Sequence, residues 1–132
     1  MKIVCDTNVL ISGILFHGHS REILRLSSRG IIQNFISPDI LEEVEEVLLR
    51  PKFGLPPEQV DGILQLFRDS FNLVEPIQKL SVVEADPDDD RILEVAHEAK
   101  AEYIVSGDHH LQDIKKWKSI RIVSPTEFMK KF

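Results

Sequence analysis

The chain has 132 residues, one cysteine and a net charge of −6, and 42% of its residues are hydrophobic. These values are typical of one globular domain with a single core, and they exclude fibrous, disordered and disulfide-framed proteins. The acidic balance argues against a protein that coats nucleic acid, although an enzyme whose acids gather in a metal site is compatible with it. Because Cys5 has no partner, and because neither a leader pattern nor a membrane-length apolar stretch is visible, we expect a soluble cytoplasmic protein.

Short apolar runs alternate with amphipathic stretches along the chain. Strands are predicted at residues 3–5, 31–36, 103–106 and 120–123, with weaker candidates at 73–74 and 82–83. Helices are predicted at residues 7–15, 20–28, 38–50, 57–71, 86–100 and 109–117, and a capping box at 124–127 begins a last one. We therefore expect residues 1–132 to form one α/β domain, in three α/β/α layers around a mostly parallel sheet.

Two aspartates directly follow predicted strands. Asp6 comes after the apolar run at residues 3–5, and Asp108 comes after 103–106, with Gly107 allowing a sharp turn. The carboxyl ends of parallel strands meet at one edge of the sheet, where α/β proteins place their functional crevice. Each aspartate alone is compatible with a simple turn. Together they indicate a site at that edge.

The predicted helix at residues 38–50 carries four glutamates. At about 100° per residue, Glu42 and Glu46 lie opposite the apolar face, whereas Glu43 and Glu45 flank it and can reach a neighbouring cleft. A charged outer face would explain all four, so the periodicity leaves Glu43 open between a ligand and a solvated side chain.

A second acidic run opens the predicted helix at residues 86–100. Pro87 at the first helical position makes Asp86 the N-cap, and the apolar periodicity turns Asp88 and Asp89 toward the buried face and Asp90 away from it. Acids in a first turn also favour the helix dipole without any ligand. Because clustered carboxylates repel each other unless a cation joins them, the run points to a metal.

Carboxylates without histidine or cysteine partners are the ligands that Mg²⁺ and Mn²⁺ prefer, and such sites support hydrolysis of phosphodiesters. The five histidines do not form a zinc spacing. His109 and His110, beside Asp108, could touch a substrate or simply be exposed.

Four motifs in order give the chain a family resemblance. They are Asp6-Thr7-Asn8 after the first strand; Ser37-x-x-x-Leu41-x-Glu43-x-x-x-Val47-Leu48 followed by Arg50-Pro51-Lys52-Phe53; Asp86-Pro87-x-Asp89-Asp90-Arg91-x-Leu93; and Tyr103-Ile104-Val105-Ser106-Gly107-Asp108. The series resembles the PIN-domain nucleases over essentially the whole chain. It is most similar to the VapC-like toxin components of toxin–antitoxin pairs.

The resemblance implies a PIN-like fold and an endoribonuclease that depends on one or two Mg²⁺ or Mn²⁺ ions. The implied catalytic and metal-binding residues are Asp6, Glu43, Asp89 and Asp108, with Asp88 or Asp90 in place of Asp89 and Glu45 in place of Glu43 left open. Thr7, Asn8, Asp90 and Ser106 would support them. The resemblance further implies RNA as substrate, a small antitoxin as partner, and a homodimer.

Basic side chains must hold the RNA backbone of such an enzyme. The candidates are Arg50, Lys52, Lys115 and Lys116, and Trp117 offers a stacking surface beside two of them. Each basic cluster is equally compatible with an ordinary solvated face.

Three alternatives remain at this stage. A haloacid-dehalogenase-type phosphatase also begins with an aspartate after its first strand, but it needs a second aspartate two positions later, where this chain has Asn8. A non-catalytic binding module would leave the acids incidental. A metal-dependent nuclease could instead act on single-stranded DNA or in RNA processing.

Overall fold

A central sheet of six strands organises the fold. The computed structural model describes residues 1–76 and 87–132, with the backbone alone at 87–89. The strands are β1 (Lys2–Cys5), β2 (Gln33–Ile36), β3 (Asn72–Leu73), β4 (Tyr103–Val105), β5 (Lys116–Trp117) and β6 (Ile120–Val123). Their order is β3-β2-β1-β4-β6-β5, and every neighbouring pair is parallel except β5 and β6. The predicted α/β fold with a mostly parallel sheet is confirmed.

Strand β1 lies at the centre of this sheet, and the chain leaves it in both directions. Its apolar residues Ile3, Val4 and Cys5 are almost completely buried, as expected for a strand covered on both faces. The connections run from β1 outward to β2 and β3, and then return to β4 on the other side of β1. The carboxyl end of β1 is therefore a topological switch point, where open α/β sheets form a crevice.

Seven helices surround the sheet in the described part of the chain. They are α1 (Thr7–Leu15), α2 (His19–Ser28), α3 (Pro38–Leu48), α4 (Pro57–Ser70), α5 (Pro87–Ala99), α6 (His109–Ile114) and α7 (Pro125–Met129). A 3-10 turn at Pro51–Phe53 separates α3 from α4. Helix α5 packs on β1, β2 and β4, while α1 packs against α2 and α3. None of the helices described is long and apolar enough to cross a membrane.

Several predicted boundaries are corrected. Helix α2 begins at His19 after Gly18, whose φ of 139° is open to glycine, so Ser20 is not the N-cap. The strand predicted at 31–36 begins at Gln33, and the weak candidate at 73–74 is β3. The candidate at 82–83 and the N-cap Asp86 lie outside the described residues.

The helix predicted at residues 109–117 is wrong over its second half. Leu111, Ile114 and Trp117 are spaced as on one helical face, but α6 ends at Ile114 because Lys115 takes a left-handed φ of 61°. Lys116 and Trp117 instead pair with β6 as an antiparallel strand, with Trp117 opposite Ile120. The helical periodicity of these residues was misleading here, because pairing with β6, which the sequence pattern does not show, determines their conformation.

Candidate active site

Asp6 is buried at the carboxyl end of β1. Its backbone N–H donates to the carbonyl of Val105 (3.0 Å), which extends the β1–β4 pairing, and its Oδ1 accepts from the N–H of Val9 (2.8 Å). Asp6 is thus the N-cap of α1, and the side chain is only 4% exposed. Thr7 beside it is buried and Asn8 is exposed.

Ser106 joins Asp6 to Asp108. The Ser106 hydroxyl is completely buried and donates to Oδ2 of Asp6, while Ser106 Oγ accepts from the backbone N–H of Asp108 (2.9 Å). Gln112 Nε2 donates to the Ser106 carbonyl (2.7 Å) and fixes the turn. The β1–β4 register, with Cys5 opposite Val105, brings these residues together.

Burial raises the pKa of the Asp6 carboxyl, because a charge in a poorly hydrated place is unfavourable. Hydrogen bonds from Ser106 and from the backbone of Val9 and Gly107 lower that pKa, whereas the neighbouring negative charge of Asp108 raises it. Because the charge of Asp108 lies near the buried Asp6 carboxyl, and Ser106 is bonded to both residues, a cation is favourable at this place.

Asp108 is the N-cap of the short helix α6, and its Oδ1 accepts from the N–H of His110 (2.7 Å). A carboxylate oxygen of Asp108 and ring nitrogens of His109 and His110 lie within 4.8 Å of one another. Both histidines are exposed, with ring centroids 4.1 Å apart. By spacing, this group offers nitrogen ligands beside the predicted carboxylates, an option that the carboxylate-only prediction did not include.

Glu43 lines a polar cleft between α3 and α5. The cleft has a volume of about 290 Å³, and its other lining residues are Asp39, Glu42, Glu46 and Arg91. Glu43 is half-buried, whereas Glu42 and Glu46 are exposed, as the helical periodicity predicted. Ser37, the N-cap of α3, follows β2 at the same sheet edge as Asp6, so α3 starts at the edge that carries the strand-end acids.

Comparison with known proteins shows the family of this chain. A family model for the PIN domain matches residues 2–110. The chain belongs to the PIN domain family. The crystal structure of VapBC2 from Rickettsia felis bound to a DNA fragment from their promoter contains a similar chain, with a TM-score of 0.65 and 17% identity over 92% of this chain and 97% of that chain. At that identity the likeness shows the fold. The search of curated proteins gave no match.

The predicted third acid, Asp89, belongs to the first turn of α5. The backbone of Asp88 and Asp89 belongs to α5, but their side chains lie outside the described residues. Asp90 is 7% exposed, so the prediction that it points away from the buried face is wrong. Helix α5 packs on both the sheet and α3, and this double contact buries more of its surface than the apolar stripe indicates.

Glu94 is a second buried acid, one turn after Asp90, and sequence reasoning missed it. The i, i+4 spacing of Asp90 and Glu94 was a signal that could have found them as neighbours on one face. Both side chains have partners in the structure. The buried part of α5 therefore carries two carboxyl side chains with partners, at Asp90 and one turn later at Glu94.

The predicted RNA-binding cations of the PIN domain fall in two places. Arg50 is the N-cap of the 3-10 turn after α3, and Lys52 Nζ lies 5.0 Å from the Phe53 ring centroid. Lys115 follows α6, and Lys116 opens β5. All four side chains are exposed.

Cys5 has no catalytic character despite its position next to Asp6. The thiol is 1% exposed, accepts from Asn34 Nδ2 (3.3 Å), and burial raises its pKa to about 12. A neutral buried thiol is a packing group.

Proposed function

We propose that this PIN domain is an endoribonuclease that depends on Mg²⁺ or Mn²⁺ and serves as the toxin of a toxin–antitoxin pair. The observation that carries the proposal is the pair Asp6 and Asp108, joined through Ser106 at the switch point of the sheet. Membership of the PIN domain family and the structural likeness to a chain of a VapBC2 complex support it. The phosphatase alternative is disfavoured, because Asn8 stands where that chemistry needs a second aspartate.

The donor set suits a hard divalent ion. Asp6 uses one lone pair of each carboxylate oxygen for the Val9 and Ser106 hydrogen bonds, so each oxygen keeps another for a metal. Asp6 and Asp108 would hold the ion directly, with Glu43 and Asp89 completing the ligand set from α3 and α5. When bound, such an ion neutralises a phosphodiester and lowers the pKa of water.

The chain's own residues supply order and polarity around that ion. Ser106 fixes the Asp6 carboxylate by donation and the Asp108 backbone by acceptance, so both acids keep one orientation. The buried position of Asp6 limits competing water on one side of the crevice. The basic side chains outside the crevice bind the RNA backbone and leave the acids free for the ion.

The decisive experiment is cleavage of labelled single-stranded RNA with Mg²⁺, with Mn²⁺ and with EDTA. We expect cleavage in the metal buffers and none in EDTA. Asp6→Asn and Asp108→Asn should each lower the rate by about 100-fold or more, beyond the usual effect of an outer-shell partner. Asp61→Asn, an exposed aspartate of α4, is the matched control and should cut at the wild-type rate.

Two results would contradict this proposal. A folded wild type that cuts no RNA in either metal and binds no divalent ion by calorimetry would favour a non-catalytic binding module. Equal or faster cutting of single-stranded DNA of the same sequence would change the substrate class.

A groove between α2 and α4 supports the proposed antitoxin partner. This α2–α4 groove has a volume of about 350 Å³, with Leu24, Leu66, Phe67 and Phe71 among its lining residues and Arg25 at its side. Leu66 is 52% exposed on an otherwise polar helix face and lines the groove. Of the other apolar positions of α4, Val60, Leu64 and Phe67 are buried in the core, and Ile63 is partly buried against it. These positions of α4 therefore do not identify a surface for the proposed homodimer.

Growth of a bacterial host tests the partner. We expect induction of the wild type to arrest growth, and co-expression of the antitoxin to relieve the arrest. Leu66→Glu should stay toxic but lose the relief, because a charge in the groove opposes an apolar partner helix. Gln59→Glu, an exposed residue of the same helix, is the control and should keep the relief. Equal relief of all three proteins would exclude the groove.

A further inference from the structure

A cleft lies at the sheet edge opposite to the acids. It has a volume of about 440 Å³ and is lined by His97, Glu98 and Lys100 from the end of α5 and by Lys118 and Ser119 from the β5–β6 turn. We call it the basic cleft. The end of α5 leads into β4 and the turn leads into β6, so the cleft borders the amino ends of these parallel strands. Asp6 and Asp108 lie at their carboxyl ends, and the basic cleft is a separate surface.

The two lysines that line the basic cleft, Lys100 and Lys118, occupy backbone positions that favour glycine. In the described residues, the non-glycine residues with positive φ are Lys100 (55°), Lys115 (61°) and Lys118 (54°). Lys118 is the first of two residues in the loop between Trp117 and Ile120, where a positive φ favours glycine. Lys100 follows α5, where a cation gains from the helix dipole, but Lys118 has no such compensation. Strain of this kind persists mainly where the side chain is needed.

The charges next to the basic cleft are also unfavourable without a ligand. Residues 114–126 contain Lys115, Lys116, Lys118 and Arg121 and no acid, in a chain with a net charge of −6. Lys116 lies directly opposite Arg121 in the β5–β6 pair, and like charges in that position destabilise a hairpin. In the part of the chain that the structure describes, none of these four cations and not Lys100 forms an ion pair. Glu98 is the one carboxylate among the cleft residues named above.

The ring of Trp117 contacts two of the residues that line the basic cleft, His97 and Lys118. Its ring lies edge-on to His97, with centroids 5.9 Å apart, and Lys118 Nζ lies 4.9 Å from its centroid. An aromatic ring among lysines that form no ion pair in the described structure is a combination by which proteins bind single-stranded nucleic acid.

We propose that the basic cleft binds the phosphate backbone of an RNA strand at a second position, away from the bond that is cut. The inference rests on the proposed function for its choice of RNA. Helix α6 and strand β5 connect the two places: Asp108 caps the start of α6, whose six residues span about 9 Å, and β5 then leads to Lys118 in the basic cleft. One strand that lies along α6 can therefore contact the acidic edge and the basic hairpin together.

Binding is measured in EDTA, where the nuclease is inactive, so a failure of catalysis does not affect the result. Anisotropy of end-labelled RNA gives the affinity between 50 and 200 mM salt. Trp117, the single tryptophan, reports occupancy of the basic cleft by its emission. The test variant is Lys100→Gln/Lys118→Gln. Its control is Lys130→Gln/Lys131→Gln, which removes the same charge after α7.

We expect wild type and control to bind RNA alike and RNA to shift the Trp117 emission. Loss of two phosphate contacts should lower the slope of log affinity against log salt by about 1.4, at about 0.7 per contact on a single strand. The ratio of the RNA affinity of wild type to that of the test variant should therefore fall by about sevenfold between 50 and 200 mM salt.

Equal affinity and salt slope for the test variant and the control would overturn the proposal. Inorganic phosphate alone is the second probe. If phosphate shifts the emission as far as RNA does, and longer RNAs bind no more tightly, the basic cleft is a small-anion site and the RNA proposal is overturned. Intact, lysine-dependent RNA binding in a protein that cuts no RNA would support the cleft and refute the nuclease.

Discussion

At the scale of single residues, the site depends on the hydrogen bond that the Ser106 hydroxyl donates to the Asp6 carboxylate. Burial raises the pKa of Asp6 and so disfavours the charged form that a metal needs, while the Ser106 hydroxyl lowers this pKa by hydrogen bonding to the carboxylate. The two effects oppose each other at one carboxyl group. Ser106 is therefore a positioning residue that also favours the ionised form of Asp6.

Ser106→Ala tests that role. Without the hydroxyl the pKa of Asp6 should rise further, so the acid limb of the cleavage rate should move to higher pH, with a loss of about 10- to 100-fold in rate at neutral pH. The measurement is the pH profile of RNA cleavage in Mg²⁺. Ser106→Thr keeps the hydroxyl and should restore the wild-type limb.

Ser27→Ala serves as the control for a merely structural loss. Ser27 is also a buried serine, and it donates to the Ile23 carbonyl (2.8 Å) far from the acids along the chain. Its removal should lower stability and leave the pH profile in place. An unshifted limb in Ser106→Ala would refute the coupling to Asp6.

The sequence places Asp6 and Asp108 well because strand ends are read from local apolar runs, and a parallel sheet then brings these ends together. Ser106 as a bridge depends on the β1–β4 register, which needs the folded pairing. The burial of Asp90 depends on contacts of α5 with both the sheet and α3. Periodicity along one helix describes only its own faces and cannot show that second contact.

At the scale of elements, the β5–β6 hairpin shows where local signals fail. Leu111, Ile114 and Trp117 fit a helix, and the loop Lys118-Ser119 lacks the glycine that marks a two-residue hairpin. The absent glycine hides the turn from the sequence and strains it in the structure, because Lys118 has a φ of 54°.

Paired substitutions measure this strain. Lys118→Gly and Lys118→Ala both remove the charge and the contact with Trp117, but alanine keeps the strain, so the glycine variant should be more stable by about 1 kcal/mol. At Lys116, in strand β5, the order should reverse, because glycine is less favourable than alanine in a strand by about 0.5–1 kcal/mol. Urea unfolding of the four variants checks both orders. If the alanine variant were the more stable one at both positions, the turn at Lys118 would be unstrained.

At the scale of the whole molecule, charge is divided between the two edges of the sheet. The carboxyl ends of the strands gather Asp6 and Asp108 with the acidic cleft of α3, and the amino ends carry the cations of the basic cleft. The net charge of −6 averages over both and hides this division. Composition could therefore predict an acidic protein but could not predict where its cations lie.

The acidic edge should make folding stability depend on the metal. Because the folded-state pKa of Asp6 is raised, the folded protein holds the proton more firmly than the unfolded chain does. Wild-type stability should thus fall as pH rises from the unfolded-state value, about 3.9 for aspartate, toward the raised folded value, and stay reduced above it. Asp6→Asn removes this loss, since its amide can keep the cap on Val9 and donate to Ser106.

We therefore expect Asp6→Asn to be more stable than wild type in EDTA at neutral pH, by on the order of 1 kcal/mol. Mg²⁺ should reverse the order, because an ion at 100 times its Kd stabilises the folded wild type by about 2.7 kcal/mol, while the variant lacks a ligand. Thermal unfolding with and without Mg²⁺ checks this, with NaCl of equal ionic strength as the control for screening. An equal rise in Tm for both proteins would show that Mg²⁺ acts on the overall charge and that Asp6 binds no ion.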